Sequence, residues 1–252
     1  MTELETSLAK LKRRVEAAKR AVVFTGAGIS TESGIPDFRS PGGFWTTHQP
    51  IDFNDYLTSE EMRREAWRRK VAFEESFNAV EPNAGHRAIA KLVDEEKVAS
   101  VITQNIDGLH QRSGVPEDKV IELHGNGTYC VCLDCRKRFE LRPVLAAFKE
   151  RDELPICDEC GGIVKTATIS FGQPMPIDAM RRAQVESERC DLFLAIGSSL
   201  VVYPAASFPP RAKLFGATLA IINREPTDMD YLADLVLNCE IGPALKEITG
   251  ID

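Results

Sequence analysis

Two spacings organise the apolar residues of this chain. Leu4, Leu8, Leu11, Val15 and Ala18 recur at helical intervals with Lys, Arg and Glu between them, which predicts an amphipathic first helix. Residues 21–24 (Ala-Val-Val-Phe) then form a short, wholly apolar, β-branched run, the pattern of a strand buried on both faces. Further strands are predicted at 99–103, 120–123, 166–171, 192–196, 219–222 and 235–237. Helical spacing returns over 51–77, over 86–93 with His86 near the start, over 179–189 and over 244–248.

The residues that end these strands carry the chemistry. Five runs stop at small or polar pairs: Thr25-Gly26, Gln104-Asn105, His124-Gly125, Gly197-Ser198 and Asn223-Arg224. With helical patterns between most of them, this repeated order predicts an α/β fold, a doubly wound parallel sheet with its ligand crevice along one edge. Many residues converging on one crevice imply a ligand of dinucleotide size.

Each strand end also has a plainer reading. Gly26-Ala27-Gly28-Ile29-Ser30, after a strand and before a helix start, suits a diphosphate, because glycines let backbone N–H groups approach and a helix N-terminus favours negative charge. It lacks the third glycine of the dehydrogenase fingerprint, so a simple tight turn fits as well and a hydride-transfer enzyme is disfavoured. Gln104-Asn105-Ile106-Asp107 sets two amides and a carboxylate where a cofactor would sit, although Asn and Asp also serve turns and caps. His124, at a strand end before a glycine, can act as a general base because free imidazole titrates near pH 6.5. A structural histidine bonded to a loop is the alternative. Residues 34–45 hold two prolines and three glycines yet carry Phe38, Arg39, Phe44 and Trp45, which describes either a lid or an ordinary surface loop.

The cysteines are more specific. Cys132-Leu133-Asp134-Cys135 and Cys157-Asp158-Glu159-Cys160 are two C-x-x-C pairs about twenty residues apart, the spacing of a four-cysteine zinc site. No histidine and no open position belongs to the set, so the metal is expected to be structural. Cys130 is set aside, and Cys190 and Cys239 read as unpaired buried thiols.

Composition narrows the partners. A chain of 252 residues, 43% hydrophobic, supports one large core or a core with a smaller module. Its net charge of -7 argues against a non-specific grip on nucleic-acid phosphates and mildly favours a lysine-bearing partner. Residues 1–20 are charged throughout, so no leader is expected, and the most apolar span, 192–203, is too short to cross a membrane. The expected location is cytoplasmic, where cysteines bind metal more readily than they form disulfides.

Taken in order, Gly26-Ala27-Gly28-Ile29-Ser30, Gly34-Ile35-Pro36-Asp37-Phe38-Arg39, Thr103-Gln104-Asn105-Ile106-Asp107, His124-Gly125-Asn126, the two cysteine pairs and Gly197-Ser198-Ser199 resemble the motifs of the sirtuins, bacterial NAD-dependent protein deacylases in particular. The resemblance covers about residues 20–245. It implies a discontinuous Rossmann-type NAD-binding domain (1–40, 84–125 and 165–252), a cofactor loop and helical module at 41–83, and a zinc-binding module at 126–164. It implies that NAD is consumed as a co-substrate. The acyl-lysine oxygen attacks C1′ of the nicotinamide ribose, nicotinamide leaves, and the acyl group ends on ADP-ribose.

The same resemblance assigns residues. His124 is implied as the general base, with Asn105 and Asp107 also in the chemistry. Gly26, Ala27, Gly28 and Ser30 would cradle the diphosphate, and Asp37, Phe38 and Arg39 would cover the nicotinamide side. Gln104, Asn105, Ile106 and Asp107 would hold the ribose and carboxamide. Gly197, Ser198, Asn223 and Arg224 would hold the remaining phosphate and the adenosine, with Cys239 near the adenine. One structural zinc would sit on Cys132, Cys135, Cys157 and Cys160, and an acyl-lysine peptide would add as a strand along Ile169, Phe171, Gly172, Val201 and Tyr203. Two departures stand out. Gln173 replaces the family's usual Glu. Trp67 and Lys70 stand where succinyl-reading relatives carry a Tyr-x-x-Arg pair, which predicts a preference for neutral acyl groups, acetyl first. The rival readings are a protein ADP-ribosyltransferase using the same NAD site and a non-enzymatic NAD-sensing module. The oligomeric state is open, a monomer being sufficient.

Overall fold

The computed structural model describes residues 2–37, 49–77 and 80–251. Its strands are β1 (Ala21–Thr25), β2 (Val98–Thr103), β3 (Val120–Glu122), β4 (Gly125–Cys132), β5 (Arg138–Glu140), β6 (Val164–Thr168), β7 (Leu192–Ile196), β8 (Thr218–Ile222) and β9 (Leu235–Leu237). Its helices are α1 (Glu3–Ala17), α2 (Phe53–Thr58), α3 (Glu60–Phe77), α4 (Ala84–Asp94), α5 (Leu109–Arg112), α6 (Leu141–Arg151), α7 (Ile177–Arg189), α8 (Phe208–Leu214) and α9 (Ile241–Thr249). None of the described helices is long and apolar enough to cross a membrane.

Six strands pair in parallel in the order β3-β2-β1-β7-β8-β9. The period of two along each central strand divides its side chains between two helical layers. Val23, Leu194, Ile196, Ala220 and Ile222 join Leu8, Leu11 and Val15 of α1, Ile89 and Leu92 of α4, and Leu245 and Ile248 of α9. Val22, Phe24, Phe193, Ala195, Leu219 and Ile221 face the other way, toward Ala183 of α7 and Phe208 and Ala212 of α8. That two-sided burial is why the runs are apolar throughout rather than alternating. The chain leaves β1 for β2 on one side and meets β7 on the other, so the strand order reverses between β1 and β7. Open α/β sheets bind ligands at such a switch point, outside the carboxyl ends of the strands.

The second sheet, β5-β4-β6, is antiparallel. It corrects one expectation. The strand expected at 166–171 is β6, which begins at Val164 and ends at Thr168, with Ile169 N bonding the carbonyl of His124 at 2.8 Å just beyond it. Residues 164–168 pair with β4, reaching Cys132 at one end. Helix α3 packs on this sheet too: Trp67 shares a buried cluster with Cys130, Leu141, Leu145, Phe148 and Val164. Tyr56 of α2 donates to the Val164 carbonyl at 3.0 Å.

Candidate active site

Every parallel strand delivers its carboxyl end to one edge, and a cleft of about 1460 Å³ opens there. At its floor the turn after β1 lies directly on the turn after β7. Gly26 N donates to Ile196 O at 3.1 Å and Gly28 N to Gly197 O at 2.8 Å. A Cβ on Gly28 would stand 2.8 Å from Gly197 Cα, and one on Gly197, whose φ is +64°, would stand 2.4 Å from Ile29 N. The glycines thus serve close packing of two turns. The N–H groups of Gly26 and Gly28 are bonded across this contact, and that of Gly197 bonds Ile222 O at 2.9 Å. Ser30, buried in the 3₁₀ segment Ala27–Ser33, completes the turn.

His124 follows β3, a three-residue strand at the edge of the sheet. Leu123 N bonds Thr103 O at 2.9 Å, and Gly125 turns at φ +72° where an added Cβ would meet Ala167 O at 2.0 Å. Only glycine fits there, so the turn that presents the imidazole is fixed from both sides. Nδ1 of His124 lies 3.0 Å from the carbonyl oxygen of Gln104. A carbonyl only accepts, so Nδ1 carries the proton and Nε2 the lone pair.

Beside it the segment after β2 forms a connected polar cluster. Asn105, 6% exposed, donates through Nδ2 to Gly26 O and to Ser30 Oγ, both at 3.1 Å. Ser30 Oγ in turn donates to Asp107 Oδ2 at 2.7 Å. Burial raises the Asp107 pKa, against the pull of the Leu109 N–H and the Ser30 hydroxyl. Gln104 Nε2 donates to Ser198 Oγ at 2.8 Å, joining the ends of β2 and β7. At the far end Arg224 pairs with Glu240 at 3.1 Å, and Cys239 is half-buried with its thiol pushed up by desolvation.

Cys132, Cys135, Cys157 and Cys160 bring their sulfurs within 4.8 Å of one another, with Cys132–Cys160 at 3.4 Å and Cys135–Cys157 at 3.6 Å. A tetrahedral zinc with bonds of about 2.3 Å needs sulfurs roughly 3.8 Å apart, so the set fits the ion. Cys130 lies outside it, its thiol pushed up to about 12 by burial. Of the other two thiols, Cys190 is buried and Cys239 is only half-buried.

Gly26, Ala27, Gly28, Ser30, Asp37, Gln104, Asn105, Ile106, Asp107, His124, Gly197, Ser198, Asn223, Arg224 and Cys239 all line the cleft. Ile169, Phe171, Gly172 and Tyr203 line it as well, but Val201 does not: it is 43% exposed on the outer surface, and Val202 lines the cleft in its place. Phe38 and Arg39, with the rest of 38–48, lie outside the described residues. Glu122 was not singled out from the sequence, yet its Oε1 accepts from Gln111 Nε2 and Asn126 Nδ2, each at 2.7 Å. The signal was its position: a strand's period of two sets it on the same side as His124.

Residues 26–204 match the Sir2 family. The chain is 54% identical over 247 residues to an NAD-dependent protein deacetylase of Rhodopseudomonas palustris, covering 98% of each chain. It is 54% identical over 249 residues to NAD-dependent protein deacetylase 1 of Bradyrhizobium diazoefficiens, covering 99% of this chain and 98% of that one. A solved complex of Sir2 with a p53 peptide and NAD⁺ superimposes with a TM-score of 0.85 at 35% identity, over 96% of this chain and 97% of that one.

Proposed function

The chain belongs to the Sir2 family and is an NAD-dependent protein deacylase, and from that premise we propose how its cleft divides the work. NAD and an acyl-lysine protein are both substrates. Gly26, Ala27, Gly28, Ser30, Gly197, Ser198, Asn223, Arg224 and Cys239 hold the diphosphate and adenosine, and Gln104, Asn105, Ile106 and Asp107 hold the nicotinamide and its ribose. Asp37, Phe38 and Arg39 complete the nicotinamide side. Ile169, Phe171, Gly172 and Tyr203 take the peptide as an added strand.

The proton assignment of His124 carries this reading. A base for a ribose hydroxyl needs a lone pair on the nitrogen that meets it, and the Gln104 carbonyl leaves that lone pair on Nε2. Once Nε2 has taken the proton, Nδ1–H still donates to the same carbonyl, so the imidazolium keeps its orientation. The ribose oxygen is then free to attack the acyl carbon. Asn105 and Asp107, linked through Ser30, fix the segment against which the nicotinamide end rests.

Zinc on the four cysteines supplies a cross-link and no reaction step. The chain divides into an NAD-binding domain (1–40, 84–125 and 169–252), a cofactor loop and helical module (41–83), and a zinc-binding module that takes in β6. A four-thiolate ligand set suits a reducing compartment, here the cytoplasm.

Incubation with NAD and an acetyl-lysine peptide, with products followed by mass spectrometry, tests the reading. Deacetylated peptide, nicotinamide and O-acetyl-ADP-ribose are expected in equal amounts. ADP-ribosylated protein with the acetyl group still in place, or no nicotinamide release, would overturn it. His124→Ala should keep NAD and zinc binding and lose turnover; near-normal deacylation by that variant would remove His124 from the mechanism.

A further inference from the structure

Two buried imidazoles, His86 and His110, take no part in the reaction outlined above. They are 0% and 1% exposed, with ring centroids 5.1 Å apart in an edge-on arrangement. Their hydrogen bonds fix where the protons sit. Asn83 N donates to His86 Nδ1 at 3.3 Å, so neutral His86 carries its proton on Nε2. Thr25 Oγ1 donates to Thr103 Oγ1 at 2.8 Å, so in its 2.9 Å contact with His110 Nε2 the imidazole must be the donor. Neutral His110 therefore has its proton on Nε2 and a lone pair on Nδ1. Burial keeps both rings uncharged, at about 3 for His86 and about 4 for His110.

His86 Nε2–H is a buried donor and His110 Nδ1 a buried acceptor, and neither has a partner among the described residues.

The chain of bonds continues into the site. Thr103 Oγ1 accepts from Thr25 and also from Asn105 N at 3.0 Å. Asn105 then holds Gly26 and Ser30, and Ser30 holds Asp107. We propose that His110 is a positioning residue, acting through Thr25 and Thr103 to set the backbone of Asn105. The proposal rests on the reading that Asn105 and Asp107 hold the nicotinamide end of NAD.

Thr25→Val keeps the shape and removes the hydroxyl, whereas Thr25→Ser keeps the hydroxyl. His110→Gln offers an amide donor where the imidazole Nε2–H was, and His110→Leu offers none. Steady-state kinetics with NAD and an acetyl-lysine peptide should show kcat lowered about tenfold or more for Thr25→Val and His110→Leu, with the peptide KM unchanged. Thr25→Ser and His110→Gln should stay within about threefold of the parent.

Normal kinetics for Thr25→Val, or equal losses in the conservative and disruptive variants, would overturn the proposal. If Thr25→Val does not fold, the unmodified protein still decides the point. Its long-range ¹H–¹⁵N spectrum near neutral pH should show His110 uncharged and protonated on Nε2, and an Nδ1–H or charged ring there would overturn the relay. An active Asn105→Ala enzyme would remove the role of Asn105 itself. Normal Thr25→Val kinetics beside an inactive Asn105→Ala enzyme would remove only the relay.

Discussion

Glu122 and Asn126, two residues before and two after His124, are joined by a 2.7 Å hydrogen bond from Asn126 Nδ2 to Glu122 Oε1. The bond closes a loop around the imidazole, and the same oxygen accepts from Gln111, tying that loop to α5. Glutamine keeps the accepting oxygen and removes the charge, so Glu122→Gln should retain kcat within about threefold, while Glu122→Ala should lose about tenfold or more at similar NAD KM. Burial raises the Glu122 pKa, with no cation among the causes of its shift. The buried charge therefore lowers stability above that raised pKa, and Glu122→Gln should melt at a higher temperature than the parent at neutral pH. Equal kinetics for the alanine and parent enzymes would show that the loop needs no such clamp.

The contact between the β1 and β7 turns makes a second prediction. Gly197→Ala would place a Cβ 2.4 Å from Ile29 N, on a backbone with φ +64°. Gly250 has the same φ with nothing within 4 Å of its Cβ position. Both alanine variants carry the left-handed strain of about 1 kcal/mol, but only Gly197→Ala also pushes the turn after β1 aside. Thermal melts should fall in both, and the KM for NAD should rise in Gly197→Ala alone. A comparable KM change in Gly250→Ala would point to a general softening instead.

How the site could be read from the sequence, and where that reading stopped, follows from which forces were local. Strands β1, β7 and β8 announce themselves because both faces are buried, and the residues after them mark the cleft because parallel strands all end on one edge. The cysteine pairs were legible because ligand spacing is set by the ion. Helix α6 is hard to read from the sequence although Leu141, Leu145 and Phe148 fall at helical spacing, because it sits between the two cysteine pairs and its apolar face is narrow. Strand β4 begins Gly-Asn-Gly and reads as a turn; only pairing with β5 and β6 makes it extended.

Zinc removal should act on one part of the molecule first. Cys132 and Cys157 belong to the same buried cluster as Trp67, Leu145 and Phe148, so losing the ion loosens the seat of α3 as well as the two knuckles. Chelator treatment should release one zinc per chain, abolish deacylation and expose Trp67, read as a red shift in tryptophan emission. Retained activity after stoichiometric zinc release would show that the cluster holds its shape unaided.

Acid should destabilise the fold through His86 and His110. Burial lowers both below the 6.5 of free imidazole, to about 3 and about 4. In the unfolded chain they take up protons as pH falls past about 6.5, while the folded state does not. Their support is thus complete above that pH and is lost progressively toward pH 4. The slope is about 1.4 kcal/mol per pH unit for each proton taken up by the unfolded chain. Urea unfolding across about pH 6 to 4.5 should therefore show a slope smaller by about one proton in His110→Gln than in the parent. Parallel curves would mean that His110 is charged in the native protein.

Lys70 yields a prediction about acyl preference. Its Nζ sits 2.6 Å from Glu74 Oε1, one helical turn along α3, and both side chains line the cleft. The ammonium lies against β4, 3.5 Å from where a Gly127 Cβ would be, and Gly127 N bonds the carbonyl of Ile106 at 2.7 Å. An acyl group reaching this wall meets a lysine already neutralised by its neighbour. A succinyl carboxylate would have to approach Glu74 or displace it, whereas an acetyl or propionyl group does neither. The kcat/KM for an acetyl-lysine peptide should therefore exceed that for its succinyl counterpart by about tenfold or more, which corresponds to about 1.4 kcal/mol. Glu74→Gln leaves the lysine charge unopposed and should narrow the ratio chiefly by raising the succinyl rate. A parent enzyme that favours succinyl-lysine, or a ratio that Glu74→Gln leaves unchanged, would place the acyl group elsewhere in the cleft.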